Sequence, residues 1–306
     1  MKISSGIVVV AGPTASGKSD LAMRLAEEFD GELICSDSMQ VYRKFDIGTS
    51  KPTLSEQKLI PHHQLDLIDP DGNYSAGKYE RDTSIIIQQI QQRGHLPILV
   101  GGSGLYYRAL MYGISNIPHI PKNIRQELIC LQEKHGTSYC WEQLQKHDPQ
   151  TAKRLHPNDT SRIMRSLEVV IATGTSIADF QKQQPFAEAR YPVLAVAYEW
   201  ERSVLYERIN QRTLKMLKSG WIEEVETLLE SYAPELKSLQ AIGYREIIEH
   251  LQKKLKWEQL VREIQQRTRQ YAKRQMTWFR REAKIEWHQP HDEDAILDKV
   301  KVYLEK

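Results

Sequence analysis

Apolar and polar positions divide this chain into three regimes. Near the start, Ile7-Val8-Val9-Val10-Ala11 is an unbroken, mostly β-branched run, the pattern of a strand buried on both faces. Leu21, Ala22, Leu25, Ala26 and Phe29 then recur at helical spacing. Glu32-Leu33-Ile34-Cys35-Ser36 reads as a second short strand, Ile85, Ile86, Ile87 and Ile90 mark a helix, and Leu96-Pro97-Ile98-Leu99-Val100 is a third strand. From about Asn116 the strands stop. Ile117-Pro118-His119-Ile120-Pro121 has the look of a linker, and helical segments follow as far as about Tyr191. Asp148-Pro149 and Asn158-Asp159 supply helix starts there, and the second helix runs through Ile163, Leu167 and Val170 towards Gly174. Pro192-Val193-Leu194-Ala195-Val196-Ala197 returns to strand, the next helix carries Leu205, Ile209 and Met216 on one stripe, and the last third reads as helical. Strands alternating with helices predict an α/β fold, a parallel sheet flanked by helices. The expected organisation is a core from 1–115 and 191–306, with an all-helical insertion at 116–190.

The link between the first strand and the first helix changes the picture most. Gly12-Pro13-Thr14-Ala15-Ser16-Gly17-Lys18-Ser19 reads G-x-x-x-x-G-K-S, the phosphate-binding loop, and it lies between strand and helix as its mechanism requires. Backbone N–H groups wrap an anion and the helix start adds its positive end. Lys18 reaches the phosphates, and the Ser19 hydroxyl suits a Mg²⁺ ion. A plain glycine turn would need neither the lysine nor both matching flanks. The core is therefore expected to be P-loop NTPase-like and to bind a polyphosphate. The third strand ends in Gly101-Gly102-Ser103-Gly104 without the acidic residue of a Walker B strand, which counts against an ordinary ATPase.

Chemistry in open α/β sheets gathers beyond the carboxyl ends of strands. Asp37 stands there, beside the phosphate loop if the two strands are neighbours. It is either a general base or a helix cap, for which Asp is also favoured. The glycine cluster after the third strand allows a ligand close to the backbone, or simply turns the chain. Pro61-His62-His63 is expected to be structural, since adjacent histidines suit a helical metal site poorly. Arg208 and Arg212 lie beside an apolar stripe, so each needs a partner, either a carboxylate or a bound phosphate. Arg162 and Arg165 share a helix face at i, i+3. Between Arg262 and Lys284 the charge is nearly one-signed. On one helix, Arg262, Arg269, Lys273 and Arg280 would form a stripe opposite Ile264, Tyr271 and Trp278, either an RNA-binding face or a solvated one.

Composition adds bounds. The 306 residues are 27% charged and 40% hydrophobic with net charge +2, so nucleic-acid binding must come from local clustering. The early apolar run is too short for a membrane span. Three cysteines, Cys35, Cys130 and Cys140, without metal-ligand spacing fit a reducing cytoplasm.

Taken in order, these residues resemble the tRNA dimethylallyltransferase (tRNA isopentenyltransferase) family, bacterial type. The matching stretches are Gly12–Ser19, Ser36-Asp37-Ser38-Met39-Gln40-Val41-Tyr42, Asp46–Pro52, Val100–Tyr106, His156-Pro157-Asn158-Asp159, Arg162, Arg165–Val169, Gly243-Tyr244-Arg245-Glu246 and Tyr271–Arg280. The resemblance implies transfer of a dimethylallyl group from its diphosphate to the N6 amine of the adenosine immediately 3′ of the anticodon. The loop then holds the diphosphate of an isoprenoid rather than ATP, which explains the missing Walker B partner. It further implies Asp37 as general base, Arg208 as the diphosphate-binding arginine with Lys18, and Mg²⁺ at Ser19. Positions expected near the tRNA anticodon stem-loop are Asp37, Ser38, Met39, Gln40, Ser103, Arg162, Arg165, Arg245, Lys273, Arg274 and Arg280. A cytoplasmic monomer without membrane contact is expected. An adenylate isopentenyltransferase acting on free nucleotide, an ATP-dependent small-molecule kinase and a non-catalytic RNA-binding module remain as alternatives.

Overall fold

The computed structural model describes residues 6–115, 117–183 and 188–305; Asn116, the expected start of the insertion, lies outside them. In chain order the elements are β1 (Ile7–Ala11), α1 (Lys18–Glu28), β2 (Gly31–Ser36), α2 (Leu54–Leu59), β3 (His62–His63), α3 (Ala76–Gln92), β4 (Leu96–Gly101) and α4 (Gly104–Tyr112). Then come α5 (Lys122–His147), α6 (Pro149–Ala152), α7 (Thr160–Thr173) and α8 (Ile177–Gln183). The chain finishes with β5 (Val193–Tyr198), α9 (Arg202–Lys218), α10 (Trp221–Leu229), a 3₁₀ turn at Lys237–Gln240, α11 (Tyr244–Leu251), α12 (Trp257–Phe279), β6 (Ile285–His288) and α13 (Glu293–Leu304).

The six strands pair in the order β3-β2-β4-β1-β5-β6, all parallel. The central strands are apolar because both of their faces are covered: every residue of β1 and β2 is buried. Val8, Val10, Leu21, Leu25, Leu33, Leu96, Ile98, Val196, Ile296 and Val300 form one continuous core with α1 and α13. A second apolar cluster joins Phe45, Trp221, Val225, Tyr244, Ile247, Leu260 and Ile264. It fixes α10, α11 and α12 to the chain segment that follows β2. Two strands were not legible in the sequence. β3 has only two residues, and β6 interrupts the expected run of helix at the far edge of the sheet.

Two compact units divide the chain. One comprises residues 1–111 and 189–306, and the other Tyr112–Glu188. In the second unit, Leu128, Cys140, Leu144, Ala152, Ile163 and Leu167 pack together. Two of its helix starts, those of α6 and α7, are the ones the sequence marks. The Asp148 carboxylate accepts the Thr151 N–H with Pro149 just inside α6, Asp159 accepts from Arg162 N–H, and Gly174 ends α7 in the left-handed region. α5 is kinked at Gly136 (φ +81°). Among the described residues no helix is long and apolar enough to cross a membrane.

Candidate active site

Three strand ends build the site. Ala11 of β1 lies opposite Gly101 of β4, and Gly101 opposite Ser36 of β2. The phosphate loop, Gly102-Ser103 and Asp37 therefore leave the sheet level with one another. β1 and β2 are not neighbours, because β4 lies between them. Asp37 is nonetheless close enough to act electrostatically on both Lys18 and Arg212.

The phosphate loop carries backbone strain. Ala15 sits at φ +63°, a left-handed conformation that costs a residue with a Cβ about 1 kcal/mol or more and clusters at ligand clamps. Gly17 takes φ +90° just before α1, which begins with no side-chain cap. Its first-turn N–H groups are thus left for an anion. Outside contacts hold this shape. Trp200 Nε1 donates to the Ser16 carbonyl at 2.8 Å, and Arg208 Nε to the Ala15 carbonyl at 2.8 Å, with the Arg208 guanidinium 4.4 Å from the centre of the Trp200 ring. Lys18 Nζ folds back on the Pro13 carbonyl at 3.2 Å.

Arg212 lies near Lys18. Its Nη1 donates to Thr14 Oγ1 at 2.6 Å and its Nε to Ser50 Oγ at 3.2 Å. Burial first, then the like charge of Arg212, push Lys18 down to about 8 against the opposing pull of Asp37. Burial likewise lowers Arg212, again against Asp37. Neither cation has an ion-pair partner among the described residues. Two partly buried cations held near each other, with no carboxylate bonded to either, can receive a multiply charged anion. Arg208 is exposed and braces the loop at Ala15, with its Nη2 3.5 Å from where a Cβ on Gly17 would stand. Both arginines thus touch the phosphate loop, Arg208 at Ala15 and Arg212 at Thr14. The sequence offered no means of separating two arginines one helical turn apart. A further contributor it missed is Glu224, whose carboxylate accepts Asp46, Ile47 and Gly48 N–H groups (2.6–3.2 Å) and the Tyr244 hydroxyl. It shapes the loop that brings Ser50 to Arg212.

No helix follows Asp37, so it caps none; residues 38–41 form turns. Asp37 Oδ1 accepts the Met39 N–H at 2.8 Å. Among the described residues Oδ2 has no hydrogen-bond partner. Ser38 N–H donates to Ser103 Oγ at 3.0 Å. The Gln40 amide is spent internally, donating to the Thr49 and Ser50 carbonyls and accepting from Cys35 Sγ. Met39 packs on the cluster around Phe45 and Trp221. Gln40 and Met39 thus shape this turn, and both keep part of their surface exposed. The glycine cluster also serves the fold rather than a ligand. A Cβ on Gly102 would run into Gln275 Nε2, and one on Gly104 into the Trp278 ring. Trp278 is held there, edge-on to Tyr107 at 6.0 Å, and is not a free stacking surface.

The family described as IPP transferase matches residues 40–282, most of the chain. This chain belongs to the IPP transferase family. It is 45% identical to "tRNA dimethylallyltransferase 2" of Geotalea uraniireducens over 92% of this chain and 91% of that one. It is 44% identical to "tRNA dimethylallyltransferase" of Geobacter sulfurreducens over 95% and 94%. Among solved structures, the tRNA isopentenylpyrophosphate transferase of Bacillus halodurans superposes with a TM-score of 0.73 at 34% identity, covering 99% of this chain and 97% of that one. A eukaryotic dimethylallyltransferase acting on tRNA does so with a TM-score of 0.80 at 31% identity, covering 94% and 74%.

The basic residues of the chain divide by partner. Arg245 pairs with Glu246 at 2.9 Å and Arg267 with the same buried carboxylate at 3.0 Å. Arg165 pairs with the buried Glu168 at 3.0 Å. These guanidiniums offset carboxylates that would otherwise be buried alone, so Arg245 and Arg165 are structural before they are anything else. Arg162 pairs with Asp159, Arg280 with Glu199, and Arg269 donates to Asn210 Oδ1 at 2.7 Å. Lys273 and Arg274 are exposed on α12 without an acidic partner among the described residues. Of the expected stripe, Arg262 and Lys273 remain without an acidic partner among the described residues, and Arg274 adds a third exposed cation beside them. His62 and His63 are structural as expected: His62 Nδ1 meets the Ile60 carbonyl, and His63 joins Arg93 on the buried Glu32.

Proposed function

We propose that this chain transfers a dimethylallyl group from dimethylallyl diphosphate to the N6 amine of the adenosine immediately 3′ of the anticodon in tRNA, releasing diphosphate. The single observation that carries the reading is the cation pair Lys18 and Arg212 around the phosphate loop, with Asp37 at the end of β2, one strand away across β4. The C1–O bond of the donor breaks and its electron pair leaves on the diphosphate. Lys18, Arg212 and the loop amides stabilise that charge. N6 bonds to C1, and its proton passes to Asp37, whose Oδ2 is the oxygen left for it. The adenine must leave the anticodon-loop stack to reach the site. We take a cytoplasmic monomer as the working unit.

The donor set also suits Mg²⁺. Among the described residues no group of three His, Cys, Asp or Glu could hold an ion. A magnesium ion bound through substrate phosphates needs only one or two protein oxygens, and the exposed Ser19 hydroxyl at the first turn of α1 supplies one. Bound there, the ion would add charge neutralisation to the leaving diphosphate.

Incubating the protein with unmodified tRNA and either labelled dimethylallyl diphosphate or labelled ATP tests the reaction. Label entering tRNA from the first supports it; phosphate transfer or hydrolysis from ATP returns the kinase reading. Prenylation of free adenylate in place of tRNA returns the other.

Two variants refine the assignment. Arg212→Ala is expected to cost about 10²-fold in turnover, the scale of one lost charge-stabilising donor, and Arg208→Ala much less. The opposite order in steady-state kinetics would restore Arg208. Replacing Lys273 and Arg274 together by alanine should raise KM for tRNA and reduce the salt slope of tRNA binding by about two, one per lost phosphate contact. Donor affinity should be unchanged. An unaltered salt slope would leave α12 with a merely solvated face.

A further inference from the structure

We propose that the side-chain amide of Gln275 is the positioning group that fixes the phosphate loop against the acceptor side of the site; the inference rests on the reaction proposed above. Gln275 is 6% exposed on the inner face of α12. Its Oε1 accepts the Thr14 N–H at 2.9 Å, and its Nε2 donates to the Gly102 carbonyl at 2.9 Å. Each of these partners is one step from the chemistry. Thr14 Oγ1 receives Arg212 Nη1 at 2.6 Å. Next to Gly102, Ser103 Oγ receives the Ser38 N–H at 3.0 Å, and the Ser103 N–H donates to the Ser36 carbonyl at 3.1 Å. Ser36 and Ser38 flank Asp37. One carboxamide therefore stands midway on a hydrogen-bonded path from the arginine that would hold the leaving diphosphate to the carboxylate that would take the proton.

The residue type fits this role and few others do. Thr14 offers a donor and Gly102 an acceptor, so the bridging side chain must accept at one end and donate at the other. Asn and Gln carry both side by side at the end of one planar amide, and Gln adds the longer reach. The close approach is made possible at Gly102, where any Cβ would meet Gln275 Nε2. Gln275 need touch neither substrate. It sets the distance between the carbon that leaves the diphosphate and the amine that attacks it, and misplacement on the order of 1 Å can cost about 10²-fold in rate.

Gln275→Met keeps the length and removes both bonds. Gln275→Glu keeps the acceptor for Thr14 and turns the donor towards Gly102 into a second acceptor. Both variants are expected to lose about 10- to 100-fold in kcat, with KM for dimethylallyl diphosphate and for tRNA changed far less. The losses should be non-additive with Ser103→Ala, because both act on one path. Each is measured well below the variant's own melting temperature, with wild type alongside. A purely structural Gln275 would lower Tm and leave kcat per folded molecule at the wild-type value. That result overturns the proposal, as does full additivity with Ser103→Ala. If wild type itself fails to turn over, the reaction and the proposal fall together. If wild type turns over and both variants match it, the proposal alone falls.

Discussion

Lys18→Ala is expected to leave a folded protein whose turnover falls about 10³-fold, the upper end of what one preorganised charge-stabilising group supplies. The folded state loses little. Lys18 makes one hydrogen bond, to the Pro13 carbonyl, and its charge is held against burial and against Arg212. Removing it relieves that repulsion, so Tm should hold or rise. The reaction loses much, because the same repulsion is what a diphosphate relieves. The pH dependence carries the same sign. With Lys18 at about 8 in the free protein, it is charged below that pH and neutral above it. Affinity for inorganic diphosphate should therefore hold below about pH 8 and weaken as the pH rises, by up to about tenfold per unit. In Lys18→Ala this dependence should vanish along with most of the affinity. Isothermal titration at several pH values reads both. Diphosphate binding by the variant at wild-type strength would remove the loop from the mechanism.

How much of this was legible in the sequence depends on whether local pattern or tertiary contact decides. The central strands announced themselves because a parallel sheet covered on both faces demands unbroken apolar runs. The helix starts at Asp148 and Asp159 were legible because a cap is a local hydrogen bond. β3 and β6 lack that signal, since strands of two and four residues at the sheet edges are only partly buried. The site was half legible. Lys18, Ser19 and Asp37 follow from the loop and from a strand end. Arg208 and Arg212 carry equal claims by helical spacing, and only the positions of Thr14, Ser50 and Ala15 separate them. The glycines after β4 advertised a ligand but make room for Gln275 and Trp278. Gln275 and Glu224 gave no local warning. Each is one polar residue on an amphipathic helix, and its partners, apart from Tyr244 for Glu224, lie more than a hundred residues away.

Asp37→Asn separates the two things this carboxylate can do. Its visible bond is the one from the Met39 N–H to Oδ1, which forms a turn rather than capping a helix. Asparagine keeps an acceptor at that place, so the turn and the Ser38–Ser103 contact should survive and Tm should stay near wild type. What asparagine cannot do is take a proton. Loss of a general base costs about 10²–10⁴-fold in rate, and that is the fall expected for kcat. A second reading comes from charge. Asp37 is the anion that acts on Lys18 and Arg212, so its neutralisation should leave diphosphate affinity unchanged or tighter. Removing a residue that merely holds the site together would weaken it. The expected variant is thus folded, binds donor and tRNA, and is nearly inactive. Turnover close to wild type would reduce Asp37 to a turn residue. Lost activity with weakened diphosphate binding would mean that the carboxylate supports the loop instead of the proton transfer. Only loss of kcat with donor affinity retained assigns it the proton of N6.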